Sequence, residues 1–259
     1  MAQPDTQRAL RKFNFVAGAE GSGTTLLLRL LASPNCAVSL GGNHIKYPPE
    51  AKPLVAAFDA SNRQLWDRKV SFAVHEEGRE RWRAANAALL EARVFAETTR
   101  FFFKRSFPFA MPRDQFAPDL WDVYDLWPEA QVIVIYRDPR AAAYSAYRRG
   151  FDSDIRRLAV TCSEQLTWIA GQVRAIGREK IALVSYTALC NEPLRVLEPL
   201  AARCELPFDE IKAAAEREGM KTTADDRWAH ELDASNTRWL NEFFDARRLR
   251  QWEILTGGE

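Results

Sequence analysis

The sequence predicts an α/β protein, a single domain over residues 1–259 with a central parallel sheet flanked by helices, and three observations carry that prediction. The first is an apolar run, KFNFVAG (12–18), that passes into a glycine-rich turn and then a leucine-rich segment, which is strand, tight loop and helix. The second is a pair of later runs, QVIVIYRD (131–138) and KIALVSY (180–186), which are continuously β-branched or apolar without alternation. A parallel strand covered on both faces needs such a run. The third is that helical stretches, from Arg140 to about Gly150 and from Asp154 to about Ile176, lie between those strands. Strands separated by helices imply a parallel sheet that binds ligands at the carboxyl ends of its strands.

Taken in order, the first element ends in GAEGSGTT (18–25), which has Thr24 where a nucleotide-binding P-loop carries Lys. Its glycines let the amides from Gly21 to Thr25 turn toward a phosphate seated on the helix N-terminus, and Thr24 and Thr25 add hydroxyl donors. The helix follows as TTLLLRLLAS, with Leu at 26, 27, 28, 30 and 31, and closes at Pro34. Residues 41–53, GGNHIKYPPEAKP, read as a loop, and 54–95 as a mainly helical, charge-rich insertion over the sheet. RFFFKRS (100–106) is a fourth strand, three Phe ahead of a basic pair with Pro108 beyond. Arg137 stands at the carboxyl end of its strand and Ser145 lies eight residues on, about two helical turns. Segment 137–157 holds six Arg (137, 140, 148, 149, 156, 157) against three Asp (138, 152, 154), a local excess of +3 and a second anion-binding feature. At the C-terminus, DASNTRWLNEFFDARRLRQWEIL opens with capping residues and continues with a helical period.

Composition bounds the partners. Lys plus Arg (36) nearly cancel Asp plus Glu (35), so nothing in the overall balance draws the chain to nucleic acid or to an acidic membrane. Cys36, Cys162, Cys190 and Cys204 show no metal-ligand spacing and read as buried thiols of a reducing compartment. With no apolar leader at the N-terminus and no run of ~18 apolar residues, the expectation is a soluble, cytoplasmic protein without a membrane span. No internal repeat or low-complexity tract is evident.

These residues resemble the sulfotransferases that use 3′-phosphoadenosine 5′-phosphosulfate. GSGTTLL (21–27) is similar to that family's 5′-phosphosulfate loop, which the resemblance assigns to Gly21, Ser22, Gly23, Thr24 and Thr25. YRDPRAAAYS (136–145) is similar to its 3′-phosphate segment, with Arg137 and Ser145 at the family's spacing. SYTALCNEPLRVLEPLAARCELPFD (185–209) resembles the stretch whose tyrosine, here Tyr186, contacts adenine. FKRSFP (103–108) resembles the strand whose Lys, here Lys104, reaches the transferred sulfuryl group. SNTRW (235–239) is the best match to the basic segment that closes over the 3′-phosphate, and offers Arg238 within a C-terminal helix or lid over 235–250. The resemblance implies in-line transfer of a sulfuryl group to a hydroxyl of a small-molecule or carbohydrate acceptor, with the adenosine bisphosphate as product and no metal. Residues 41–100 would read the acceptor. The loop also fits the bacterial, carbohydrate and tyrosyl-protein branches better than the phenol branch. Oligomeric state stays open, a homodimer included.

The pattern departs from the family at three places. Gly21 stands where the family has Lys or Arg, with Glu20 ahead of it, so Glu20 must turn away or pair with a cation. Lys104, with Arg105 beside it, is then the cation expected at the leaving oxygen. Ser106 replaces the His of the phenol branch, which makes His44 the candidate base, with Glu97, Glu20, His75 and His230 as rivals. Leu26 replaces an adenine-stacking aromatic, leaving Trp228 or Trp239 as another platform. Phe101, Phe102, Phe103, Phe107 and Phe109 could line an apolar acceptor pocket, though strand core is the simpler role for most. Two other readings stand: a binding protein that holds the nucleotide without turnover, and a P-loop kinase or hydrolase with Asp138 on magnesium.

Overall fold

The computed structural model describes residues 12–32, 37–40, 52–53, 56–57, 76–77, 80, 83–84, 87–88, 91–92, 100–107, 120, 123–124, 130–219, 225–244 and 255. Labels below count the elements within them. Five strands, β1 (Lys12–Ala19), β2 (Ala37–Leu40), β3 (Arg100–Phe107), β4 (Gln131–Tyr136) and β5 (Ile181–Ser185), form one sheet in the order β2-β3-β1-β4-β5. Every pairing is parallel, with Val16 opposite Lys104 on one side and Ile133 on the other.

Period-two geometry sends alternate residues to opposite faces. Phe13, Phe15 and Ala17 join Phe101, Phe103, Val132 and Val134 in one buried cluster, while Val16, Phe102, Ile133 and Ile135 belong to the other. The Phe15 and Phe103 rings stack at 5.2 Å across the β1–β3 pair. Two covered faces explain why these strands read as unbroken apolar runs. The first cluster is closed by α2 (Pro139–Arg148) and α3 (Ile155–Ile176), and the second by α1 (Thr24–Leu31), α4 (Tyr186–Asn191), α5 (Pro193–Arg203) and α6 (Phe208–Glu218). Leu27, Leu28, Leu30 and Leu31 of α1 are at most 1% exposed. Each such burial is worth ~1.5–3 kcal/mol relative to exposure. Two further helices, α7 (Arg227–Glu231) and α8 (Ala234–Phe243), cover the α2–α3 side through Trp228 and Leu240.

The four expected strands and the helices between them are present, with ends set by capping. β4 stops at Tyr136 rather than 138 because the Asp138 side chain accepts the Arg140 amide and Pro139 takes the first helical position. β5 stops at Ser185, whose hydroxyl caps α4, so Tyr186 opens a helix. Asp154 caps α3 and Asp233 caps α8, as the C-terminal capping signal predicts. The described residues between 52 and 91 are helical. Helix is present at Lys52 and Pro53, so the loop expected over 41–53 gives way there. Residues 41–51 lie outside the described ones. β2 is an addition that no sequence signal announced.

Cys162, Cys190 and Cys204 are buried and unbridged. Burial, reinforced by the Asp138 charge, pushes the Cys162 thiol up to about 12, so it is inert. Asn14, in the middle of the sheet, buries both amide atoms without a hydrogen-bond partner among the described residues. An unsatisfied buried amide costs ~1–3 kcal/mol. Asn14→Val should therefore raise unfolding free energy by about that amount, read as a shift in the urea midpoint at unchanged slope; a lower midpoint would show that the amide has a partner.

Candidate functional site

The loop between β1 and α1 leaves the central strand where the chain direction divides. From β1 the chain goes to β2 and β3 on one side, and from β4 to β5 on the other, so the crevice lies beyond the carboxyl ends of β1 and β4. Ser22 closes the turn, its amide and hydroxyl both donating to the Ala19 carbonyl at 3.1 and 2.6 Å. Gly21 and Gly23 hold left-handed backbone, with φ of 88° and 99°. A Cβ on Gly21 would lie 2.3 Å from the Ala142 carbonyl oxygen, and one on Gly23 would lie 2.4 Å from the Tyr186 ring. The loop is thus clamped between α2 and α4. No side chain caps α1, and its first i→i−4 bond runs from the Leu27 amide to Gly23. The amides of Gly23 to Leu26 precede that bond, with Thr24 buried and Thr25 half-buried beside them.

Glu20, the carboxylate ahead of Gly21, is held by partners. It meets Arg149 at 3.2 Å, and its amide donates to Gln165 Oε1 on α3 at 3.3 Å. The expectation that it pairs with a cation holds.

Arg137 lies just past β4 and is mostly buried. Nε donates to Asp225 at 2.7 Å and Nη1 to the Gly21 carbonyl at 3.2 Å, while the guanidinium lies 4.2 Å over the Tyr186 ring. Burial raises the Tyr186 phenol above its ordinary value against the opposing pull of Arg137. The rest of the basic segment is also matched. Arg140 engages both oxygens of Asp138, Arg148 meets Glu231 and Tyr144, Arg157 pairs with Asp152, and Arg156 bonds Asn236 and Ser235. Asp138 is therefore a helix cap and ion-pair partner, which leaves it poorly placed to hold magnesium.

A cavity of about 370 Å³ opens here. It brings together Arg137 and Ser145 of one segment and Tyr186 of another, residues that the resemblance assigned to one ligand. Arg148, Arg149, Arg227, Trp228, Asp225 and Glu231 complete its wall. Arg227, Asp225 and Glu231 escaped sequence reasoning; the signal available was the charged cluster DDRWAHE around the Trp already noted. A larger hollow, about 790 Å³, runs along the outer edge of β5 and α5, and neither the glycine loop nor Arg137 lines it.

The other expected residues divide. Lys104 is half-buried on β3, and Ser106 lies opposite Gly18 at the foot of the loop. Alternation places Lys104 on the same sheet face as Phe102 and α1. Arg238 is exposed on α8 and does not line the cavity. His230 is exposed, 3.5 Å from Asp226, and does not line the cavity. Trp228 lines the cavity, whereas Trp239 stacks on Phe243 at 4.8 Å as part of the α8 packing. Phe101, Phe102 and Phe103 are wholly buried core. His44, Glu97, His75, the Phe109 residue and the side chains of Arg105 and Phe107 lie outside the described ones. Among the described residues no cluster of His, Cys, Asp or Glu is arranged to hold a metal, and no helix is long and apolar enough to cross a membrane.

The model of the Sulfotransferase family matches residues 15–210. Among solved structures, the sulfotransferase of Alicyclobacillus acidocaldarius is similar over 100% of this chain and 98% of its own, at 18% identity and a TM-score of 0.58. The sulfotransferase domain of the curacin biosynthetic pathway is similar over 95% and 98%, at 16% identity and 0.55. The sulfotransferase domain of the Synechococcus PCC 7002 olefin synthase is similar over 99% and 97%, at 17% identity and 0.50. At these identities the likeness is one of fold. No curated protein matches the chain.

The contact at Gly21 yields a test of the loop. A left-handed non-glycine residue costs about 1–3 kcal/mol before any clash, and ~2–4 °C of melting temperature accompany each kcal/mol at this chain length. Gly21→Ala and Gly21→Lys should both melt several degrees lower, the added cation giving no compensation. Unchanged melting of Gly21→Lys would mean that the loop can step away from Ala142.

Proposed function

The chain belongs to the sulfotransferase family, and we propose that it transfers a sulfuryl group from 3′-phosphoadenosine 5′-phosphosulfate to a hydroxyl of a small-molecule or carbohydrate acceptor. The observation that carries the reading is the convergence of Arg137, Ser145 and Tyr186 on one cavity beside the glycine loop. In this reading the loop amides and the uncapped start of α1 receive the 5′-phosphosulfate. Arg137 and Ser145, with Arg227 nearby, receive the 3′-phosphate, and Tyr186 and Trp228 offer aromatic surface to the adenine.

The chemistry asks mainly for position and charge. As the sulfur–oxygen bond to the donor's phosphate breaks and the bond to the acceptor oxygen forms, negative charge gathers on the departing phosphate oxygen. Loop amides, Thr24 and Lys104 stabilise it, and His44 takes the acceptor's proton. Gly21 supplies no cation, so Lys104 carries more of that stabilisation than a loop lysine would leave to it.

Calorimetric titration tests the donor assignment. Adenosine 3′,5′-bisphosphate should bind tightly and weaken about 10–100-fold in Arg137→Ala, the scale of a lost charge-assisted hydrogen-bond pair. Binding of ATP with magnesium in its place would return the chain to a P-loop reading. With a radiolabelled sulfuryl donor and a panel of hydroxyl acceptors, Lys104→Ala should lower kcat about 10²–10³-fold. His44→Ala should lower it by about 10²-fold or more at unchanged donor affinity. Turnover within a few-fold of wild type for either variant removes that residue from its role.

A further inference from the structure

Arg137 is held on three sides. Nε donates to Asp225 Oδ1 at 2.7 Å, Nη1 donates to the Gly21 carbonyl at 3.2 Å, and the guanidinium lies 4.2 Å over Tyr186. Asp225 is held in turn, since its Oδ2 accepts the Thr187 hydroxyl at the start of α4. Arg137 and Asp225 are each 14% exposed. Among the described residues nothing takes Arg137 Nη2, and Arg137 and Ser145 line the cavity together.

This is the geometry of an orienting carboxylate and differs from that of an occupying one. A carboxylate standing in for phosphate takes the forked edge of a guanidinium through both of its oxygens. Asp225 instead takes Nε with one oxygen and spends the other on Thr187. The free terminal nitrogen stays with the cavity. Glu231, the other carboxylate in the wall, is engaged by Tyr144 and Arg148.

We propose that Asp225, braced by Thr187, is a positioning residue that presents Arg137 Nη2 to the 3′-phosphate and so sets the preference for nucleotides that carry this group. The proposal rests on the donor reading above. A guanidinium fixed before binding loses little rotamer freedom on binding, so recognition gains from a contact that never touches the ligand.

The test is calorimetric titration of wild type, Asp225→Ala, Asp225→Asn and Thr187→Val with two probes, adenosine 3′,5′-bisphosphate and adenosine 5′-monophosphate, which differ only in the 3′-phosphate. Wild type should prefer the bisphosphate. Asp225→Ala should cut that preference by about tenfold, in line with one charge-assisted hydrogen bond, through weaker bisphosphate binding at unchanged monophosphate affinity. Asp225→Asn, which keeps an acceptor oxygen, and Thr187→Val should move the same way by less. Tighter bisphosphate binding in Asp225→Asn would overturn the proposal by showing that the carboxylate competes with phosphate. Equal weakening of both probes would overturn it by showing a role in folding alone. Wild type binding the two probes alike would remove the donor reading itself, a failure visible before any variant is made.

Discussion

The backbone of the β1–α1 loop passes so close to α2 that a Cβ at Gly21 has no place: the Ala142 carbonyl oxygen would stand 2.3 Å from it. Much of the site follows from that contact. It removes a cation at Gly21 as an option and brings the Gly21 carbonyl within 3.2 Å of Arg137 Nη1. It also keeps the start of α1 close to the first turn of α2, so that two segments far apart in sequence face one crevice. Tyr186 presses on the loop from the other side at Gly23. Left-handed glycine at both contacts is the local backbone requirement of a single tertiary constraint.

Charge is distributed under a second constraint. Six arginines in twenty-one residues would repel one another and burden folding, yet each has an oxygen partner from another element or from its own turn. The exposed pairs contribute little to stability. Their effect is to fix where the guanidinium groups stand. The mostly buried Arg137–Asp225 pair differs, because removing charge from water is costly unless the geometry and the remaining hydrogen bonds are good. Thr187 and the Gly21 carbonyl supply those bonds.

Elements whose signal is local were legible in the sequence, and arrangements made by tertiary approach were not. The runs at 131 and 180 declare buried parallel strands because both faces need apolar residues, and Asp233 declares the start of α8 because its side chain caps that helix. AVSL, at four residues, is too short for either period to show, so β2 passed unnoticed. Arg137, Ser145 and Tyr186 could be assigned to a common ligand because the segments that carry them resemble the donor-binding segments of the sulfotransferases. Arg227 and Asp225 have no such anchor: they reach the cavity only because Trp228 is buried under α2, with Arg140 4.8 Å over its ring. The same packing directs α8 onto α3 through Trp239 and Leu240 and leaves Arg238 exposed, away from the cavity that a motif match alone would give it.

Strand order explains how a loop without its own cation can still be flanked by positive charge. β1 is central and pairs with β3 and β4 at once, so residues of both neighbours flank the strand that feeds the loop. Lys104 comes from β3, opposite Val16 and two residues before Ser106 meets Gly18, while Arg137 follows β4 and reaches the Gly21 carbonyl. Lys104 has the strand parity of the α1 face, and Arg137 stacks over Tyr186 of α4, which covers that same face. A cation at Gly21 would need a Cβ where the Ala142 carbonyl already stands. Lys104 and Arg137 need none there: Lys104 is placed by the β1–β3 pairing, and Arg137, one residue past β4, by its bonds to Asp225 and the Gly21 carbonyl.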